Sequence, residues 1–447
     1  MPAPADTIAA VATASGAAAI GIVRVSGPKA AAIGHALTRC RLLPQRARVC
    51  LLRDRDGSVL DHALVLYFAA PHSHTGEDVL ELHGHGSPIV LGLILKRVLE
   101  LGARPARPGE FSERAFLNGK LDLIQAEAVA DLIASGSDAA ARAALRSLEG
   151  DFSRAVRDLF DALVRVRAWL EAALDFAEED IDFLSAPQLG ADLDSLRERL
   201  AALLAAARRG VVLRDGLHVV IVGRPNTGKS SLLNALAQSD RAIVTAIPGT
   251  TRDLLSETVQ LDGIALTLVD TAGLRESVDI VEREGMRRAR AELQRADVAI
   301  LVTDSAHVEQ DQPLLDACAA GASRLVVHNK IDLSGEAARV ERIGAQLHLY
   351  ISAATGAGLV ELRAELVALA GGDSVQGAFS ARARHVDALE RVSRHVDAAT
   401  AALSEQRAGE LAAEDLRLAQ QVLGEITGDY SSDDLLGAIF STFCIGK

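Results

Sequence analysis

The sequence predicts a multidomain protein that joins α/β and all-α parts: an α+β N-terminal segment, a helical bundle split in sequence, and an α/β domain inserted into that bundle. Three observations predict this. A glycine-rich loop near the middle of the chain lies between an apolar β-branched run and a helical pattern. Apolar stripes at helical spacing flank that middle region on both sides. Before them, strand-like runs alternate with one amphipathic helix. The expected segments are 1–118, 119–210, 211–375 and 376–447.

Composition narrows the class. A chain of 447 residues has room for about three domains. With 49% hydrophobic and 24% charged residues it is globular. A formal net charge of −13 argues against a surface that coats nucleic acid broadly, so any RNA contact needs a local basic patch. Cys40, Cys50, Cys318 and Cys444 are scattered, with no C-x-x-C pair, and read as reduced thiols of a cytoplasmic protein. No apolar run is long enough to span a bilayer, so no membrane association is expected. The alanine-rich start lacks a basic region and carries Asp6, which argues against a signal peptide.

In chain order, 18–25, 63–68 and 79–83 read as strands. Residues 89–101 read as a helix with Val90, Leu93, Ile94, Arg97 and Leu101 on one side. Arg24 shares a strand face with Ile20 and Ile22. A charge there ordinarily sits at a sheet edge or snorkels; the alternative is an anion ligand. Glu81 shares a face with Val79 and His83, and His83-Gly84-His85 reads as a turn or packing element rather than a metal site. From 121 to 209 the pattern is helical. Phe152, Val156, Leu159, Leu163, Val166 and Leu170 form one stripe, and Leu193, Leu196, Leu200 and Leu203 another. Glu178-Glu179-Asp180 reads as a solvated helix end. Beyond a Gly371-Gly372 linker, Val386, Leu389, Val392 and Val396 make a further stripe, as do Leu416, Ala419, Leu423 and Ile426. Ser432 followed by Asp433-Asp434 suits a capped helix start near the C-terminus. Domain termini commonly lie close together, so an insertion between the helical halves is economical.

The middle region carries the chemistry. Gly223-Arg224-Pro225-Asn226-Thr227-Gly228-Lys229-Ser230 fits G-x-x-x-x-G-K-[ST] and follows the apolar run 217–222. Backbone N–H groups of such a loop close on phosphate oxygens, and the next helix adds its positive end. Lys229 reaches the β/γ-phosphates and counts as catalytic, while Ser230 offers a hydroxyl to Mg²⁺. With Asn226, Thr227, Gly228 and Ser231 they form the phosphate-contacting set. Asp270-Thr271-Ala272-Gly273 ends a strand at 266–269 and suits the γ-phosphate and Mg²⁺. Asn329-Lys330-Ile331-Asp332 follows a strand at 325–328. The Asp332 carboxylate can accept from guanine N1–H and the 2-amino group, donors that adenine lacks at those places. Ser352-Ala353 ends a strand at 347–351, where a backbone N–H can meet the guanine oxygen. Thr250 and Thr251, before Arg252-Asp253, fit a switch that senses γ-phosphate, with Thr251 a second Mg²⁺ ligand. Thr245, Ala246, Ile247, Pro248 and Gly249 complete that nucleotide-facing segment. Together these motifs define a Ras-like P-loop GTPase domain. Ras-like enzymes orient the attacking water with a glutamine after D-T-A-G. Leu274 stands there instead, which leaves Glu276, Glu282 and Glu284 open as replacements.

The chain resembles the MnmE (TrmE) family of tRNA modification GTPases. The resemblance rests on Gly21-Ile22-Val23-Arg24-Val25-Ser26-Gly27, on Phe116-Leu117-Asn118-Gly119-Lys120-Leu121-Asp122-Leu123, on GRPNTGKSSLLNAL from Gly223, on PGTTRD from Pro248, on DTAGLR from Asp270 and on the terminal Cys444-Ile445-Gly446-Lys447. It implies a tetrahydrofolate-binding N-terminal domain that dimerises, giving a homodimer. It also implies a potassium-dependent GTPase that works with a flavoprotein partner, MnmG (GidA), in a heterotetramer or larger complex; FAD enters only through that partner. The implied product is a carboxymethylaminomethyl or aminomethyl group at C5 of the wobble uridine of certain tRNAs. A reduced folate, 5,10-methylene- or 5-formyl-tetrahydrofolate, supplies the one-carbon unit. The folate contacts fall on Arg24, Glu81, Lys120 and Lys447, and the water-positioning acid on Glu282. The K⁺ ligands fall on Asn226, Thr245, Ile247 and Thr250; from the residues alone, Asn226 reads as a loop cap. Cys444 reads as a catalytic thiol or a buried structural cysteine. The competing function is a switch-type GTPase of RNA binding or ribosome assembly, against which Arg24, Lys120 and the tail motif argue.

Overall fold

The computed structural model describes residues 6–175, 187–238, 255–261, 264–270, 291–303, 308–316, 318, 321–344, 346–370, 377–405, 408–430 and 433–446. It divides into two compact units. One comprises Met1–Ala130, Leu148–Arg199 and Ala388–Lys447; the other comprises Asp131–Ser147 and Leu200–Asp387. The expectations for residues 178–180, 245–253, 271–273, 274, 276, 282, 284, 371–372, 432 and 447 lie outside the described residues.

The first unit holds a six-stranded sheet made of β1 (Ile8–Val11), β2 (Ala18–Ser26), β3 (Arg48–Arg53), β4 (Val59–Phe68), β5 (Val79–Gly86) and β6 (Arg104–Pro105), in the order β3-β4-β5-β2-β1-β6. All neighbours are antiparallel except β1 and β6. Alternation sends Val23, Val25, Leu52, Val65, Leu80 and Leu82 to one face. That face packs on the helices Ala30–Thr38 and Pro88–Glu100 through Ile33, Leu37, Leu91, Ile94 and Val98. The second helix therefore buries a stripe rotated from the expected one: Leu93 is exposed, and Leu91 and Val98 take the core. The helix Glu110–Leu117 covers part of the other sheet face, where Phe111 packs with Ile8, Ala10 and Ala106.

The helices of this unit come from both sides of the inserted domain. The helix Asp151–Asp175 buries the whole stripe from Phe152 to Leu170 and packs on the helix Gly409–Thr427, which buries Leu416, Ala419, Leu423 and Ile426. The helix Asp433–Ser441 brings Ile439 and Phe440, with Phe443 beyond it, onto Leu123 and Ala126. Halves separated by more than two hundred residues thus share one helical body.

An ion network centred on the buried Arg114 and Glu110 holds the helix Glu110–Leu117 in place. Arg114 is 1% exposed and donates to the Asp6 carbonyl at 3.0 Å, Asp6 Oδ1 at 2.7 Å, Glu77 at 3.1 Å and Glu110 Oε1 at 3.1 Å. Arg104 adds two bonds to Glu110. Burial pushes the Glu110 carboxyl up, but Arg104, the Arg107 N–H and Arg114 outweigh it and hold its pKa at about 2.

The second unit is built on a seven-stranded sheet: β7 (Leu217–Val222), β8 (Leu255–Leu261), β9 (Ile264–Asp270), β10 (Val298–Thr303), β11 (Ser323–His328), β12 (Arg339–Ile343) and β13 (Gln346–Tyr350), ordered β12-β13-β11-β10-β7-β9-β8. The five central strands are parallel, and β12 and β8 are antiparallel edges. Val219 and Ile221 enter one core cluster while Val220 and Val222 enter the other. Burial on both faces is why the β7 run is apolar throughout.

Arg114→Ala leaves three carboxylates short of a partner inside the first unit. It should lower that unit's unfolding free energy by about 3–5 kcal/mol, read as a lower urea midpoint by fluorescence of Trp169, the chain's single tryptophan. The Glu110 contribution has a sign in pH. Its folded pKa lies below the ordinary ~4.3, so the contribution is full above that value and is lost as pH falls toward about 2. An unchanged midpoint in Arg114→Ala would show that the network contributes nothing net.

Candidate functional site

The phosphate loop leaves β7 and enters the helix Lys229–Gln238. Two glycines make that path sterically open. A Cβ on Gly223 would lie 2.2 Å from the Val302 carbonyl oxygen at the end of β10, and one on Gly228 would lie 2.2 Å from Asn329 Nδ2. Asn226 takes φ 62°, a left-handed conformation that asparagine tolerates. Thr227 Oγ1 and Lys229 Nζ both donate to the Arg224 carbonyl, at 2.9 and 2.6 Å. Lys229 is 4% exposed, so its ammonium waits inside the loop. The Arg224 side chain is anchored by Asp311 Oδ1 at 2.6 Å and Gln310 Oε1 at 2.9 Å. Ser230 and Asn226 lie at the surface.

The two guanine-type loops come to the phosphate loop. Asn329 Nδ2 donates to the Thr227 carbonyl at 2.9 Å, and Asn329 Oδ1 accepts from the Ala353 N–H at 3.0 Å. One buried amide thus ties three loops together, a role the motif alone did not show. Lys330 Nζ donates to the Asn226 carbonyl at 2.5 Å. Ser352 Oγ donates to Asp332 Oδ1 at 2.5 Å, which aims the carboxylate. Parallel strands ending on one edge cause this gathering, since β7, β11 and β13 all point their carboxyl ends the same way. Asp270 ends β9 on that edge, opposite Ile221 in register.

A second polar cluster forms in the first unit. Arg24 and Glu81 are direct cross-strand partners on β2 and β5, and Arg24 Nε donates to Glu81 Oε1 at 2.9 Å. β2 is central, so Arg24 is not an edge charge; the apolar face of that strand is the one bearing Val23 and Val25. Glu81 Oε2 also meets His83 Nε2 at 3.0 Å. Burial raises the Glu81 pKa, but His83 and Arg24 prevail and hold it below the usual carboxylate range. The His74 pKa is lowered, by burial first and then by the Arg24 charge. The C-terminal tail reaches this cluster: Arg24 Nη1 donates to the Gly446 carbonyl at 3.4 Å, and the Gly109 N–H donates to the Cys444 carbonyl at 3.4 Å. Cys444 is an exposed free thiol, not a buried structural one. Lys120 Nζ donates to the Pro71 carbonyl at 3.1 Å. His85 is engaged by Asp61 at 2.7 Å, so His83 and His85 each have their own carboxylate. Among the described residues no group of three or more His, Cys, Asp or Glu side chains could hold a metal ion.

A seven-stranded sheet with a glycine loop after one of its interior parallel strands, and a buried lysine and asparagine beneath that loop, defines a P-loop nucleotide-binding protein. Two family matches extend the definition: residues 7–120 match the GTP-binding protein TrmE N-terminus, and residues 123–444 match the MnmE helical domain. The tRNA modification GTPase MnmE of Xanthomonas campestris pv. campestris is 56% identical over 446 residues, 99% of each chain. That of Alkalilimnicola ehrlichii is 52% identical over 441 residues, again 99% of each. This chain belongs to the MnmE (TrmE) family of tRNA modification GTPases. Among solved structures, the G domain of the T. maritima FeoB iron transporter is 26% identical, covering 34% of this chain and 98% of its own, with a TM-score of 0.26.

Asp332→Asn should weaken GTP binding by on the order of 1–3 kcal/mol and admit xanthine nucleotides, because the amide presents a donor. Equilibrium titration with both nucleotides checks this; parental GTP affinity in the variant would reassign the guanine contact. Asn329→Ala should weaken both nucleotides alike, since it unties the loops rather than changing base recognition.

Proposed function

We propose that this chain hydrolyses GTP to drive modification of tRNA, and that the hydrolysis is potassium-dependent. In the full reading a homodimer works with a flavoprotein partner to install a carboxymethylaminomethyl or aminomethyl group at C5 of the wobble uridine, using a one-carbon unit from a reduced folate. The observation that carries the GTP reading is the Asn329 side chain, which binds the phosphate loop and the Ser352-Ala353 loop at once.

Of the proposed metal ligands, Ser230 and Asn226 fall within the described residues. Ser230, at the start of its helix, offers a hydroxyl to Mg²⁺, with Thr251 as the proposed second ligand. Asn226 offers a side-chain carbonyl oxygen at the surface of the phosphate loop, with Thr245, Ile247 and Thr250 as the further proposed K⁺ ligands. A cation held there would supply the positive charge that an arginine finger supplies elsewhere. Lys229 would exchange the Arg224 carbonyl for a phosphate oxygen, a stronger acceptor. Glu282 is the proposed base that positions water. In the first unit Glu81 is held ionised and can accept from an amino-pyrimidine ring, while Arg24, Lys120 and Lys447 can meet carboxylates. The tail carbonyl at Arg24 supports placing the C-terminus at this folate site.

Two outcomes test the reading. Turnover at fixed ionic strength should be strongly higher in KCl than in NaCl, and Asn226→Ala should remove the difference; equal parental rates would exclude the cation. Arg24→Ala should abolish wobble modification, measured by mass spectrometry of tRNA nucleosides, while GTP turnover stays within about twofold, because the two clusters lie in separate compact units. Normal modification in Arg24→Ala would remove the folate assignment.

A further inference from the structure

The last residues of the two strands that carry the guanine loops stack on each other. His328 ends β11 and Tyr350 ends β13, and they are direct partners in register. Their ring centroids are 4.2 Å apart with planes 5° from parallel. His348, two residues back on β13, stacks at 5.2 Å and shares a hydrogen bond between its Nδ1 and His328 Nε2 at 2.9 Å. Arg339, the register partner of Tyr350 on the edge strand β12, lies 3.4 Å over the Tyr350 ring centroid. All three rings are buried, at 4%, 5% and 8% exposure. The chain leaves this stack directly into Asn329–Asp332 on one strand and, one residue on, into Ser352-Ala353 on the other. Backbone bonds continue the tie: the Ile351 N–H donates to the His328 carbonyl at 2.8 Å, and the Ile331 N–H to the Ile351 carbonyl at 3.2 Å.

We infer that His328, Tyr350 and Arg339 are positioning residues for guanine, holding the two base-recognition loops at a set separation through an Arg–Tyr–His stack. The inference rests on the assignment of those loops to guanine. A stack suits the task because ring pairs resist shear between strands, which backbone bonds near a strand end resist weakly. The bond to His348 removes the freedom of the His328 ring to turn out of the stack.

The stack also gives nucleotide binding an acid limit. Burial first, and His348 second, push the His328 pKa down to about 4; Glu336 and Glu341 pull it up, and Arg339 pushes it down. The His348 pKa is lowered by burial too, with Glu341 opposing. Tyr350 stacks directly on the ring. A freed histidine takes a proton near ~6.5. Between that value and about 4, the disengaged arrangement binds a proton that the stack refuses, so the stack is progressively disfavoured as pH falls.

The test is equilibrium binding of a fluorescent GDP analogue, with GTP turnover, on the full chain. His328→Ala should weaken GDP about tenfold and raise KM for GTP while kcat changes less than about twofold. Arg339→Ala, on an exposed edge where folding is not at risk, should weaken GDP by about threefold. Parental affinity should decline from pH 6.5 to 4.5, and His328→Phe, which keeps a ring but cannot titrate, should flatten that decline. Parental affinity in both His328→Ala and Arg339→Ala, or a loss confined to kcat and melting temperature, would overturn the inference. Asp332→Asn run alongside separates the two levels. If it too leaves GDP binding unchanged, the guanine assignment itself fails; if it alone weakens GDP, only the positioning role does.

Discussion

The phosphate loop turns back from β7 close against the end of β10, and Gly223 is the point of contact. Any side chain there would meet the Val302 carbonyl, which belongs to the sheet and cannot move aside. The loop conformation, and with it the placement of Thr227, Lys229 and Ser230, therefore depends on the absence of one Cβ. The same constraint recurs at Gly228, where the missing side chain leaves room for Asn329. Asn329 then spends both ends of its amide on neighbouring loops. Close backbone approach, rather than a large complementary surface, is what makes this edge of the sheet a site. The strand order explains why the edge is there. The chain runs from β7 to β9 on one side and returns to β10 on the other, and loops diverge at such a reversal.

The first unit solves a different problem, which is how to keep charge inside a sheet domain. Arg24 and Glu81 face each other from neighbouring central strands, so each offsets the desolvation of the other. Arg114 does the same for Asp6, Glu77 and Glu110 behind the helix that carries Phe111. The Arg24 guanidinium lies 5.7 Å over the Phe111 ring, so the two charged groups are neighbours through one aromatic side chain. The buried network fixes the helix, and the helix fixes one wall of the Arg24 cluster. The tail, ending beside Arg24, makes that cluster depend on the correct docking of Phe440 and Phe443 far along the chain.

Much of this was legible from residues. The run Leu217–Val222 is the β7 strand as read, and the stripes of Asp151–Asp175 and Gly409–Thr427 are buried as read. Those elements share a cause: long or strongly patterned segments whose burial is set by period alone. The short elements were not legible. Ala30–Thr38 is alanine and glycine apart from Ile33, His35, Leu37 and Thr38, and β1 is four residues long. The face of Pro88–Glu100 differs from the expected one because apolar residues surround it on nearly every side, so only packing against β1, β2 and β5 selects Leu91, Ile94 and Val98.

The sequence by itself determined the loop motifs of a GTPase domain. Glycines, lysine, serine and aspartate at fixed spacing act through backbone geometry and charge that are local to each motif. It also determined that helices before and after the inserted domain belong together. Tertiary structure decided everything that joins separate motifs. The Asn329 bridge, the Arg24–Glu81 register, the tail beside Arg24 and the His328–Tyr350 stack all pair residues from different strands or distant segments. Strand order and register set the pairings within the sheets, helix docking sets the tail, and both follow from the whole fold closing at once, which no window of sequence contains.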